Sequence, residues 1–171
     1  VWAPRRAPEV RLRAIALVAD ARLDGREEAA RRLLRDQEPE TGRLAAEYLH
    51  RTGGDEALRR ALEERDEASR ASIYDYLARL PIDRPVPALA GRADLEELID
   101  PAAAVGGRLQ VAAASLLGRC WEGDLDVLLA AVDEARPGVA GRALVGLGRR
   151  RERRHLAGLR DLLDDRRWRT W

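Results

Sequence analysis

LIDPAAAVGGRLQVAAASLLG, residues 98–118, decides the fold. An apolar run ends on Asp100, Pro101 follows at once, and after a short turn a second stretch carries Arg108 early and Leu117–Gly118 late. A proline in the first turn of a helix costs little, because its missing N–H would have no partner within the helix anyway. The stretch therefore reads as the end of one helix, a turn and a second helix. Its weight comes from recurrence.

Apolar runs end in Asp at five places: RRLLRD at Asp36, ALEERD at Asp66, LEELID at Asp100, LAAVD at Asp133 and LRDLLD at Asp164, with steps of 30, 34, 33 and 31 residues. After each Asp a second helical pattern pairs an early Arg with a late Leu: Arg43 with Leu49, Arg70 with Leu77, Arg108 with Leu117, Arg142 with Leu147. Apolar residues recur at spacings of three and four, as in Ala57, Leu58, Ala61 and Leu62, or Leu156, Leu159, Leu162 and Leu163, which places each set on one helical face. The second helices show the same spacing in Ile73, Leu77 and Leu80, and in Val139, Ala143 and Leu147. No segment sustains the strict alternation of a strand. Pro39, Pro101 and Pro137 stand just after a ladder Asp, and Gly25, Gly53, Gly54, Gly123 and Gly148 fall where one helix ends and another starts. PIDRPVP, residues 81–87, reads as a stiff, extended join, and the helix after it, up to Ile99, is expected to be the longest and least regular.

LIDPAAAVGGRLQVAAASLLG, VDEARPGVAGRALVGLG (132–148) and, more loosely, QEPETGRLAAEYLHRTGG (37–54) resemble the HEAT-repeat family, in particular its short bacterial form. The resemblance spans residues 10–165; Arg70 lacks the usual preceding Val, and the repeat over 81–107 is stretched. It implies an all-α fold, a right-handed α-solenoid of about five antiparallel helical hairpins, with second-type helices on the concave side. It also implies that each ladder Asp caps the second helix while the early Arg reaches a neighbouring Asp or carbonyl. Residues 1–9 are expected to be a lead-in or linker and 166–171 a tail or the start of a further repeat. The chain opens on a second-type pattern, VRLRAIALVADARL, and lacks an initial Met, so a longer product or completion by a partner is expected.

With 171 residues, 46% of them apolar, the chain can bury a continuous core. Its net charge of +1 conceals a division: four Arg and one acid in 1–18, sixteen and twenty-five in 19–135, eleven and four in 136–171. All basic residues are Arg, and Lys, Asn, Phe and Met are absent, a gap in AT-rich codons that points to the genome of a high-GC bacterium. The single Cys120 excludes an intramolecular disulfide and fits the cytoplasm. No apolar run spans a membrane; Trp2 and the basic cluster behind it fit the margin of an upstream membrane anchor.

Catalysis finds no support. His50 and His155 lie three to four repeats apart, and at about 10 Å per packed helix they are not expected to meet. Cys120 reads as a small apolar residue. Ser69, Ser72 and Ser115 lack a nucleophile turn, Gly106–Gly107 lack a phosphate-binding Lys, no zinc spacing exists, and pairs such as Glu63 with Asp66 read as solvated surface. No cofactor or metal is expected, and the chain is not expected to be an enzyme.

The expected function is a noncatalytic protein-binding scaffold whose concave face presents Arg43, Glu47, Tyr76, Arg79, Arg108 and Trp121, with Tyr76 and Trp121 either anchoring the partner or packing between repeats. The alternative lies in LGRRRERRHLAGLRDLLDD, residues 147–165. Arg149, Arg150, Arg151, Arg153 and Arg154, with Trp168 and Trp171 beyond, form either a nucleic-acid-binding surface or the polar corner between two helices. HEAT-like repeats also form the scaffold of alkylpurine DNA glycosylases and of bilin lyases, but no residue of either family's chemistry maps onto this chain.

Overall fold

The computed structural model describes residues 25–164 apart from 82–83, 88, 90, 101, 104, 106, 133–136 and 151, and gives the backbone but not the side chains of 131–132, 137 and 162–164. The lead-in, the opening second-type pattern, Asp133, Arg151, Trp168, Trp171 and the side chain of Asp164 lie outside the described residues. All regular structure within them is helical: α1 (Arg26–Leu34), α2 (Pro39–Glu63), α3 (Glu67–Ala78), α4 (Arg92–Ile99), α5 (Gly107–Cys120), α6 (Leu125–Val132), α7 (Pro137–Gly148) and α8 (Arg153–Asp164). None is long and apolar enough to cross a membrane. The chain forms two compact units, Val1–Tyr76 and Leu77–Trp171.

Two boundaries differ from expectation. α4 is eight residues long rather than the longest helix. Pro85 and Pro87 keep the residues before them out of the helical region, so the helix starts only at Arg92; there the Asp94 carboxylate accepts the Gly91 amide at 3.1 Å. The longest helix is α2, which merges two segments read as separate. They meet at Gly54, whose φ of 64° and ψ of −160° form a conformation open essentially to glycine alone.

In the first unit, α1 packs on α2, burying Leu34, Ala45, Ala46, Leu49, Leu58 and Ala61. The Ser72 hydroxyl of α3 donates to the Leu34 carbonyl at 2.8 Å in the interior, satisfying an acceptor that the end of α1 leaves open. Along the outside, Arg35 pairs with Glu64, Arg31 reaches Glu64 at 3.6 Å and Arg60 reaches Glu27 at 3.5 Å. α1 is thus stitched to the second arm of α2 and to the turn behind it.

Each ladder Asp whose side chain is described binds the backbone that follows it. Asp66 caps α3, accepting the Ser69 amide at 2.8 Å. Asp36 takes the Glu38 amide at 2.8 Å and Asp100 the Ala102 amide at 2.7 Å, so these two close the turn instead of the helix. Arg35 reaches a neighbouring ladder Asp, with Nε 3.5 Å from Asp66. Of the early arginines read for this role, Arg43 binds Glu40 and Glu47 on its own helix and Arg70 lies over Tyr74, 5.9 Å from the ring centroid. Helical spacing puts these partners closer than any neighbouring repeat.

The second unit is built around α5, buried along Leu109–Gln110 and Ala112–Arg119. α4 and α7 pack on it, and α6 and α8 pack on α7. The α5–α7 contact is made by backbone. A Cβ on Gly118 would lie 1.9 Å from the Ala143 carbonyl oxygen, and one on Gly146 2.1 Å from that of Ser115. Among the described side chains of α8, His155 is buried, 3% exposed, while Leu156, read as core, is 50% exposed.

Gly118→Ala and Gly146→Ala are expected to destabilise by about 1–3 kcal/mol or more, because backbone cannot swing aside. Gly141→Ala, with nothing within 4 Å of its added Cβ, is expected to stabilise by about 0.5–1 kcal/mol through helix propensity. Denaturant titration measures both signs. For Asp66, burial pushes the carboxyl pKa up, but the Ser69 hydrogen bonds and the charge of Arg35 outweigh it and hold the group below its ordinary 3.8. A depressed folded-state pKa stabilises above the unfolded value, and that contribution disappears as pH falls through the folded one. Asp66→Ala is expected to cost about 1 kcal/mol near neutrality and progressively less below pH 3.8, as paired unfolding curves at the two pH values would show.

Candidate functional site

On α2, Arg43 is clamped. Its Nε donates to Glu40 at 3.0 Å and Nη1 to Glu47 at 3.4 Å, and Nη2 takes the second Glu40 oxygen in a two-pronged pairing. The guanidinium is held more firmly charged than usual, first by the Glu40 hydrogen bond, against the opposing effect of burial, and further by the charges of Glu40, Glu47 and Asp75. Three carboxylates thus act on one guanidinium in this stripe of the first unit. The structure thus brings Arg43 and Glu47 together and adds Glu40 and Asp75, which the sequence reading did not single out.

The Tyr76 ring is buried, so it takes the packing role rather than that of an exposed anchor. Its hydroxyl meets His50 Nδ1 at 2.8 Å, and His50 Nε2 meets Asp55 Oδ1 at 2.9 Å. A carboxylate can only accept, so a proton on Nε2 suits the Asp55 contact, and the Tyr76 hydroxyl can donate to or accept from Nδ1. The two rings meet edge-on, 5.6 Å between centroids. His50 and Asp55 flank the Gly54 break, so the imidazole ties both arms of α2 to α3. The expectation of a helix-end His facing a dipole missed this array; the available signal was the His-x-x-Gly-Gly-Asp spacing across the break.

In the second unit Arg79 is exposed and Arg108 half-buried. Trp121 is 1% exposed, another candidate anchor turned inward. Its Nε1 donates to the Asp124 carbonyl at 3.0 Å, and the Arg92 guanidinium stacks 4.0 Å from its ring centroid. Cys120, expected to be buried, is exposed at the end of α5. Burial around the thiol still pushes its pKa up, outweighing the downward pull of Arg119 and Arg150, so the reactive thiolate is disfavoured.

The arginine run resolves into a corner held by its one acid. Arg149 Nη1 donates to the Ala78 carbonyl at 3.1 Å, at the end of α3. Arg150 Nη1 donates to the Trp121 carbonyl, and its Nε donates to Glu152 at 2.7 Å. Arg154 Nε takes the other Glu152 oxygen at 2.7 Å, with His155 Nε2 3.6 Å from that same oxygen. Burial pushes the Glu152 carboxyl up, but hydrogen bonds from Arg154 and Arg150 prevail and lower its pKa. Arg153 alone of the described run has an exposed side chain with no such engagement among the bonds above. No group of three or more His, Cys, Asp or Glu among the described residues could hold a metal ion.

Arg149→Ala and Arg150→Ala are each expected to cost about 1–3 kcal/mol, since each strands a backbone carbonyl that a charged donor now satisfies. Arg153→Ala is expected to stay within about 0.5 kcal/mol. Equal effects at all three positions in urea titrations would mean the run is merely solvated. No protein-family model, curated protein or solved structure matches the chain.

Proposed function

We propose that this chain is a noncatalytic, cytoplasmic protein-binding scaffold, its hairpins stacked as a HEAT-like α-solenoid with second-type helices presenting the binding face. The observation that carries the reading is the Glu40–Arg43–Glu47 stripe on α2 with Asp75 of α3 facing Arg43. These charges are pre-set by mutual pairing, so a partner meets an ordered, carboxylate-lined surface at small entropic cost. A partner presenting Arg or Lys fits it. Hairpin packing within the second unit, where α5 and α7 meet through glycines, supports the stacking.

The nucleic-acid reading draws less support. Arg149 and Arg150 are engaged with backbone carbonyls, and the acidic stripe repels phosphates. In nuclease-treated lysate, the wild-type chain is expected to retain a protein that Glu40→Arg with Glu47→Arg loses, with circular dichroism unchanged. Retention that vanishes with nuclease, together with steeply salt-dependent oligonucleotide binding abolished by Arg153→Ala with Arg154→Ala, would replace this reading with the nucleic-acid one.

A further inference from the structure

The Glu152 carboxylate fills a place built for an anion, and fills it incompletely. Glu152 directly precedes α8, at a helix N-terminus whose dipole and open N–H groups favour negative charge. Its Oε1 accepts from Arg150 Nε at 2.7 Å, and its Oε2 accepts from Arg154 Nε at 2.7 Å. The imidazole of His155 is left short. Its Nε2 lies 3.6 Å from Oε2, beyond hydrogen-bond reach. His155 is 3% exposed, and this nitrogen has no hydrogen-bond partner among the described residues. A buried polar atom without a partner is rare in a folded chain, because water no longer compensates it. The shortfall has a geometric cause: a carboxylate is planar with two oxygens, and each is already drawn to one arginine.

We propose that this corner is a binding site for a terminal phosphate group, free or as a monoester, which displaces the tethered Glu152 carboxylate and gives Arg150, Arg154 and His155 one oxygen each. Such a group is tetrahedral, offers three acceptor oxygens and carries about 1.5 to 2 negative charges near neutrality. The donors are graded in burial, from the buried His155 through the half-buried Arg150 to the exposed Arg154, so the cluster is open to solvent on the arginine side. Arg150 also donates to the Trp121 carbonyl, which keeps its guanidinium in place when the carboxylate leaves. A phosphodiester has two free oxygens and one negative charge. It offers no more than the carboxylate it must displace, so the site discriminates against a nucleic-acid backbone. The site is separate from the reading of the α2 stripe and uses none of its residues.

Calorimetric titration of the full chain with inorganic phosphate tests this. The wild type is expected to bind with Kd of roughly millimolar order, because the ligand competes with a tethered carboxylate. Glu152→Gln keeps the shape and removes the charge, and is expected to bind at least about tenfold tighter. Adding Arg154→Ala, at an exposed side chain, is expected to undo that gain, and acetate at matched ionic strength is expected to bind Glu152→Gln at least about tenfold more weakly than phosphate does. Imidazole NMR locates the event: the His155 signals are expected to move with phosphate while those of His50 stay, and this titration of the wild type stands even if a variant unfolds. Phenyl phosphate separates the sources. Equal affinity assigns an esterified phosphate, a loss of affinity assigns the free ion, and both uphold the site. His155 signals that stay fixed up to about 50 mM phosphate, a Glu152→Gln variant that binds no tighter than wild type, or equal binding of acetate or of an oligonucleotide lacking a terminal phosphate would each overturn the proposal.

Discussion

The close approach of α5 and α7 is the constraint on which the second unit depends. With Gly118 against the Ala143 carbonyl and Gly146 against that of Ser115, the two helices touch through backbone, and the Ala-rich sequence of α5 lets it be buried on nearly every side. Such contact maximises dispersion between many atoms and leaves no slack for a methyl group. It also obliges the chain to place its long side chains at the helix ends. Arg108 and Arg119 stand near the two ends of α5, and Arg149 and Arg150 just past the end of α7.

Three guanidinium groups of this unit, those of Arg119, Arg149 and Arg150, act on backbone. Arg149 caps the end of α3 at Ala78 and Arg150 holds the Trp121 carbonyl behind α5. Arg119, 8% exposed, leans toward the carbonyls of Pro81 and Arg84 at 3.3 and 3.5 Å. In a chain without lysine, the planar fork of arginine serves both as surface charge and as a means of satisfying carbonyls that helix ends and proline-rich turns leave open. Read as a string, RRRERR suggests a cationic surface. Folded, Arg149 and Arg150 point at their own chain, Glu152 holds Arg150 and Arg154, and Arg153 stands exposed.

Helix identity was legible because periodicity and punctuation agreed: the Asp ladder, the prolines after it and the glycines between helices marked the helical segments, though not the late start of α4 or the continuity of α2. The misreadings share one cause. Which long polar side chain meets which acceptor depends on distances of a few ångströms that spacing does not encode, so Arg35 reaches Asp66 while Arg43 is claimed by Glu40 and Glu47 on its own helix. In α8, His155, Leu159 and Leu162 fit helical spacing as well as Leu156, Leu159 and Leu163 do, and Glu152 beside the imidazole accompanies the choice of His155 as the buried residue. Tyr76 and Trp121 turned inward for a related reason, each having a polar partner inside to satisfy its hydroxyl or indole N–H.

The break at Gly54 joins the two arms of α2 with no linking residues, and the His50–Asp55 bond braces it from one side. A junction with no spare chain has nowhere to absorb an added or deleted residue, since either would rotate one arm by about 100° and turn its core face away. The proline-rich join from residue 81 to 91, whose described residues belong to no helix, can absorb such changes by bowing outward. Over evolutionary drift, related sequences should therefore keep a fixed length across the first junction and vary it freely at the second.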